Sequence, residues 1–347
     1  MTSARISTWC VVLLGGLVVS ATLAAAQLRS PARLLVLLKG QGQNAMAIVD
    51  PVAGKIVGRV AIGENPHEVT VSADGRLAFA TNTGGQGRTI SVIDVAAQKE
   101  LRRVDTGPVS HPHGIEFAGG KVYFTAEGYK AIGRYDPTSN QIEWLLGLGQ
   151  NRTHMLVISK DLKIFTANGN GSASDSLSVV DVSGPLPPTD WNVTVIPVGK
   201  GPEGIDISPD GKEVWTGTFL DGDVSIIDVA TKKVTHTFNV QSKQSCAKAR
   251  CINRVKFTPD GKRVLISGNN NGDLVVVDAA ARKEIKRMKL GSKVTGILVV
   301  PDGSRAYVAA ETDDNLSVVD LKTLEVSGRI SFPKGSVPDG MAWVETR

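Results

Sequence analysis

Cysteine and aromatic residues are scarce in this chain, and neither sign of charge dominates it. Three cysteines in 347 residues are too few for a disulfide-dense scaffold or a cysteine-rich metal framework. Aromatics make up 5% of the sequence and no Lys/Arg run occurs; without basic patches interleaved with aromatics, nucleic acid is excluded as a partner. There is no G-x-S-x-G and no G-x-x-x-x-G-K-[ST], so neither a serine nucleophile elbow nor a phosphate loop is encoded. Apolar residues three and four apart, the mark of helical repeats, are missing as well.

The N-terminus reads as a processing signal. Arg5 supplies the positive start, Val11 to Val19 the apolar core and Ala24-Ala25-Ala26 an A-x-A cleavage site. A signal peptide is expected over 1–26 and a mature chain from Gln27. The apolar core is shorter than the roughly 20 residues of a membrane span, so no span is expected once the signal is removed. The expected location is outside the cytoplasm, periplasmic or extracellular. With Arg5 gone, 38 basic residues face 34 acidic ones, a mild surplus. Cys10 leaves with the leader. Cys246 and Cys251 remain in one loop, SKQSCAKARC, where an oxidising compartment favours a disulfide; a redox pair or half of a metal site is the alternative.

What is present is a repeat. From Gly201 to Asp228 the chain reads GPEGIDISPDGKEVWTGTFLDGDVSIID. Ile205 to Ser208 alternates apolar and polar, and Pro209-Asp210-Gly211 supplies the positive φ of a hairpin turn. Glu213 to Phe219 is a second strand and Val224 to Ile227 a third. Lys233 to Val240 is a fourth. The third strand of each repeat ends in aspartate: Asp50, Asp94, Asp136, Asp181, Asp228, Asp278 and Asp320, with steps of 44, 42, 45, 47, 50 and 42. The longest steps hold the Pro-rich Gly184 to Pro188 turn and the two-cysteine loop. Four short antiparallel strands at this period make propeller blades, and the fold expected is an all-β, seven-bladed propeller over 27–347. The last repeat lacks one strand, and Arg33 to Leu38 (RLLVLL) has no repeat of its own. Pairing 33–38 with the last blade, 315–347, closes the ring and hides both edges.

The repeat P-x-G-I-x-x-S-P-D-G-K followed by S-V-I-D, carried by Pro202 to Lys212 and Val224 to Asp228, resembles that of the YVTN-type β-propeller family, within the wider WD40/YVTN repeat-like group. Weaker copies fill all seven repeats. Phe79-Ala80-Thr81-Asn82 and Phe165-Thr166-Ala167-Asn168 approximate the tetrapeptide that names the family. Similar propellers serve as surface-layer or envelope proteins, as lactonases and lyases, and as the metal-bearing domain of nitrous oxide reductase, so the resemblance implies architecture and export more than activity.

The resemblance also implies that the strand after P-x-G is the innermost, and that the residue just before it sits near the axis. The seven equivalents are His67, His113, His154, Glu203, Asn253, Thr295 and Asp339; three of the five histidines fall there, in successive blades. If they converge, His67, His113 and His154 with Glu203 form a set suited to a single divalent transition metal or to acid/base work. Duplication of a Pro-His-Gly turn accounts for them equally well. Glu127, Asn168, Arg152 and Arg254 are the expected rim residues. The leading expectation is a propeller, monomeric, that binds a small molecule or an envelope protein on its loop face. A metal-dependent lactonase or lyase is the alternative, and a purely structural envelope component the third.

Overall fold

The computed structural model describes residues 32–345 apart from 86, 170, 172–174, 185–190, 242–245 and 247–249. The expected signal peptide, 1–26, lies outside the described residues. The chain opens with β1 (Ala32–Leu38), β2 (Ala45–Asp50) and β3 (Lys55–Ala61). Then come β4 (Pro66–Val71), β5 (Leu77–Asn82), β6 (Thr89–Asp94) and β7 (Lys99–Asp105), followed by β8 (Pro112–Ala118), β9 (Lys121–Ala126), β10 (Ala131–Asp136) and β11 (Gln141–Gly147). The next two sheets are β12 (Thr153–Ile158), β13 (Lys163–Asn168), β14 (Ser176–Asp181), β15 (Val193–Pro197) and β16 (Pro202–Ile207), β17 (Glu213–Thr218), β18 (Asp223–Asp228), β19 (Lys233–Asn239). Last are β20 (Ile252–Phe257), β21 (Arg263–Gly268), β22 (Asp273–Asp278), β23 (Lys283–Lys289), β24 (Val294–Val299), β25 (Arg305–Ala310), β26 (Asn315–Asp320), β27 (Glu325–Ser331) and β28 (Pro338–Glu345).

These strands form seven four-stranded antiparallel sheets. Six are consecutive quartets. The seventh has the order β28-β1-β2-β3, so one C-terminal strand joins three N-terminal ones. Within 315–347, β26 and β27 complete the preceding sheet, and β28 alone pairs with β1, Leu34 opposite Trp343 and Val36 opposite Met341. The innermost strands β4, β8, β12, β16, β20, β24 and β28 touch in a closed circle around a central channel.

The sequence explains the blade's anatomy. Each period-marking aspartate caps the turn after its strand: Asp50 Oδ1 accepts from Val52 N at 2.9 Å, Asp94 from Ala97 N at 2.8 Å and Asp228 from Thr231 N at 2.7 Å. The second and third strands are apolar on both faces because both faces are covered. Leu35 and Leu37 of β1 pack on Val69 and Ala80 of the next blade, while Leu34, Val36 and Leu38 pack on Tyr307 and Leu316 of the previous one. The outermost strands are largely exposed. In P-x-G the glycine allows close approach: a Cβ on Gly204 would lie 2.6 Å from Asn253 O, and one on Gly340 2.2 Å from His67 O. These glycines let the inner strands crowd the axis.

Cys246 and Cys251 form a disulfide, and both are buried. By loop-closure entropy, a bridge spanning five residues stabilises by about 2 kcal/mol; replacing both cysteines with serine should lower the unfolding free energy by about that much in urea titration. Leu35→Ala, at a side chain with no exposure, should cost about 2–5 kcal/mol. Deleting residues 338–347 removes β28 and should abolish the cooperative transition that the full chain shows by circular dichroism.

Candidate functional site

The seven equivalent residues that sequence places before the innermost strand are in fact its second residue, because the ladder begins one residue earlier, as with Pro66 opposite Asn82 and Pro112 opposite Ala126. What aims them at one mouth of the channel is a left-handed residue two places upstream. Asn65, His111, Arg152, Gly201, Lys293 and Val337 all have φ between 47° and 71°. In the remaining blade, β20 to β23, that place is taken by Cys251, anchored through its disulfide. Val337 is β-branched, and a positive φ is a strained state for such a residue. It is held there by hydrogen bonds from its N–H to Asp314 Oδ1 (2.8 Å) and from Lys39 N to its carbonyl (3.2 Å).

The mouth is a cavity of 410 Å³, and none of its lining residues is apolar. His67, His113, His154, Glu203, Asn253, Arg152, Arg254 and Asp339, all singled out from sequence, line it. The three imidazoles form a file: His67 and His113 have ring centroids 4.7 Å apart, His113 and His154 4.0 Å. His67 Nδ1 lies 3.1 Å from both Asn65 O and Thr83 Oγ1. Nδ1 of His113 and of His154 is buried without a hydrogen-bond partner among the described residues. Among the described residues no group of three or more His, Cys, Asp or Glu is arranged to hold a metal ion, so this geometry lends no support to the single-metal expectation for His67, His113 and His154. The rings are tilted to one another, by 56° between His67 and His113 and by 37° between His113 and His154, whereas a shared metal would need a nitrogen of each about 2.1 Å from one point.

Charge is arranged in chains. Glu203, almost fully buried, accepts from Arg152 at 2.7 Å and Arg250 at 3.2 Å, with His154 Nε2 at 3.6 Å. Arg152 also bonds Glu127, which stands behind the wall. Lys39 reaches Asp339 at 2.6 Å and Glu311 at 2.7 Å, and Lys293 pairs with Glu311 from the other side. Arg254 pairs with Glu68 inside the channel instead of standing on the rim. Asn168 is not brought to the cavity. It is fully buried at the end of β13, where its amide donates to Ser178 Oγ at 3.0 Å and Ser176 O at 3.3 Å, tying β13 to β14. Thr295 is buried, outside the lining set.

Burial is the main cause of the histidine shifts here. It holds His113 and His154 well below the ordinary 6.5 and lowers His67 as well, so all three are neutral at pH 7. Burial would raise Glu203, but His154, Arg152 and Arg250 overcome it and hold the carboxyl down at about 2. With His154 neutral at pH 7, the two guanidiniums are what keep it ionised there.

Lys39, Arg250, Asn269, Asn270, Lys293 and Glu311 complete the lining. The sequence places Asn269, Asn270 and Glu311 in the polar loops between second and third strands, which form a binding rim, but singles out none of the six as a site residue; two further counts reach most of them. One residue past each second strand gives Lys39, Glu127, Asn269 and Glu311; two residues before each axial position gives Arg152 and Lys293.

Acid should destabilise the protein in two windows. A histidine whose folded pKa is depressed gives stability that is complete above the unfolded value near 6.5 and is lost as pH falls below it. Glu203, depressed from 4.5 to about 2, contributes about 3 kcal/mol above pH 4.5, lost as pH falls toward 2. Thermal unfolding between pH 8 and 3 should decline first below about pH 6.5 and more steeply below 4.5. Glu203→Gln should remove the lower window and cost about 3 kcal/mol at pH 7, because the largely buried Arg152 and the half-exposed Arg250 lose a buried counter-charge.

The Cytochrome D1 heme domain family matches residues 163–304, less than half of the chain. That segment contains none of the three histidines, and a haem macrocycle needs apolar walls, which the mouth does not offer; the residues present do not fit such a group. No curated protein matches the chain in sequence. Among solved structures, hydrazine synthase of Kuenenia stuttgartiensis is 19% identical with a TM-score of 0.70, over 80% of this chain and 90% of that one. A candidate 6-phosphogluconolactonase of Bacteroides uniformis is 15% identical with a TM-score of 0.74, over 91% and 100%. A protein of Lactobacillus plantarum is 16% identical with a TM-score of 0.74, over 90% and 99%. At such identities the likeness is one of fold, and it agrees with the strand order above: the chain is a seven-bladed β-propeller.

Proposed function

We propose that this is an exported, monomeric binding protein that holds a small hydroxylated carboxylate in the channel mouth. The observation that carries the reading is the all-polar lining with a cationic surplus. Lys39, Arg152, Arg250, Arg254 and Lys293 face the cavity against Glu203, Glu311 and Asp339, while the balancing Glu68 and Glu127 stand outside the lining set. Arg250 and Lys293 have about half of their side chains exposed (46% and 47%), so they meet an incoming anion first. Arg250 is preset by the ring of Phe219, 4.5 Å from its guanidinium. Deeper in, the amide of Asn253 in the lining supplies hydrogen bonds for hydroxyl groups. The volume suits a ligand of metabolite size. The disulfide supports export.

A lactonase or lyase reading of the same cavity has one observation in its favour, the closeness of His154 to Glu203. Binding is preferred because a buried imidazole held well below 6.5 is a weak base, and Glu203 is occupied by two guanidiniums.

Calorimetry with gluconate and with uncharged glucose tests the proposal. Gluconate should bind at least about tenfold more tightly, and more weakly as salt rises. Arg250→Ala with Lys293→Ala should weaken it by at least about tenfold, the scale of one lost charged contact. Equal binding of glucose, or gluconate turnover products in the cell, would argue for the other readings.

A further inference from the structure

A second cavity occupies the other half of the channel. It measures 390 Å³ and reaches the turn residues Pro209 and Pro259 at the face opposite the histidines. Unlike the mouth, it is amphipathic. Ile115, Met155, Ile205, Ile297 and Met341 form its apolar wall, and five ionisable side chains interrupt it. Four of these are paired. Arg254 bonds Glu68, and Lys256 bonds Asp206 at 3.2 Å, whose other oxygen accepts from Phe257 N at 2.8 Å. The fifth, Glu116 on β8, has no ion-pair partner among the described residues; the backbone of Ile158 is its hydrogen-bond contact. The two pairs cancel, so one carboxyl is left over in an apolar-walled chamber of molecular size.

We propose that this half of the channel is a second binding site, for a small primary ammonium ion with a short apolar body, its charge on the Glu116 carboxylate and its body against Ile115, Met155 and Ile205. An anion would meet the odd carboxyl and two cations already committed to partners. A neutral apolar guest would leave that carboxyl unanswered. An ammonium ion supplies the one charge that the chamber lacks and three donors to share with it.

Occupancy is an exchange. Burial lifts Glu116 to about 8, with Asp206 adding to the effect and Lys256 opposing it, so at pH 7 its proton holds the place the ammonium would take. The cation enters, one proton leaves, and the chamber stays neutral. Glu68 on β4, Asp206 on β16 and Arg254 and Lys256 on β20 are the charged groups in the chamber. Lys121 and Tyr123 lie on the paired strand β9; His67 and His154 stand at the mouth end of the neighbouring inner strands and His113 at that end of β8 itself. The histidines are already neutral and Lys121 is raised by Asp136 and Glu143, so these four keep their charge between pH 7 and 9.

Titration calorimetry of the intact protein with n-butylammonium chloride, at pH 7 in two amine-free buffers of different ionisation enthalpy, reads the exchange directly. We expect close to one proton released per cation. Affinity should rise about tenfold per pH unit below the Glu116 pKa and level off above it. Glu116→Gln should bind at least about tenfold more weakly with no proton release, and 1-butanol should bind at least about tenfold more weakly than the cation. Absence of binding at millimolar cation, binding without proton release by the wild-type protein, or butanol binding as tightly as the cation would overturn the proposal. The wild-type measurements decide it even if the variant does not fold. Gluconate at the mouth plays no part in any of these readings, so failure here leaves the mouth site standing, and the reverse holds too.

Discussion

Everything in this molecule depends on the pairing of β1 with β28. A propeller blade has two apolar faces and cannot cover either by itself, so each sheet is stable only between two neighbours. Six blades obtain this from sequence order. The seventh is assembled from the two ends of the chain, Ala32–Leu38 beside Pro338–Glu345, and without it Leu35, Leu37, Leu34 and Val36 would lose the packing that buries them on both sides. The ring therefore behaves as one cooperative unit, although it is built from seven similar parts.

Closure also sets the geometry of the axis. Glycine in the P-x-G element removes the one atom that would hold adjacent inner strands apart, and a left-handed residue upstream turns the following side chains toward the channel. Blades that lack this glycine carry Glu68, Met155 and Arg254 in its place. Two of those side chains form an ion pair across the lumen. Arg254 lines both cavities, and so divides a polar, histidine-lined mouth from an amphipathic chamber below it.

Much of this was legible in the sequence, for definite reasons. The aspartate period gave the blade number because a capped turn needs a short acceptor at one place, and that need recurs in every blade. The orphan segment RLLVLL pointed to closure because a strand apolar on both faces must be sandwiched. The axial ring, His67 to Asp339, followed from counting along the repeat. Less legible were features set by side-chain direction. Asn168 has the composition of a rim residue but sits inside the sheet as a cross-strand tie. Three histidines in successive blades suggest a ligand set, yet ring orientation, which leaves them tilted in a file, is not written in spacing. Lys39, Glu311, Arg250 and Lys293 belong to other repeat-equivalent positions or to an insertion, and a single count along one ring passes over them.

The salt bridge between Lys39 and Asp339 joins a residue just after the first strand to one in the last. The mouth thus borrows one wall from each end of the polypeptide. A chain still being made, or one clipped near its tail, lacks this wall, since the cation and its carboxylate meet only when the last strand has been made and docked.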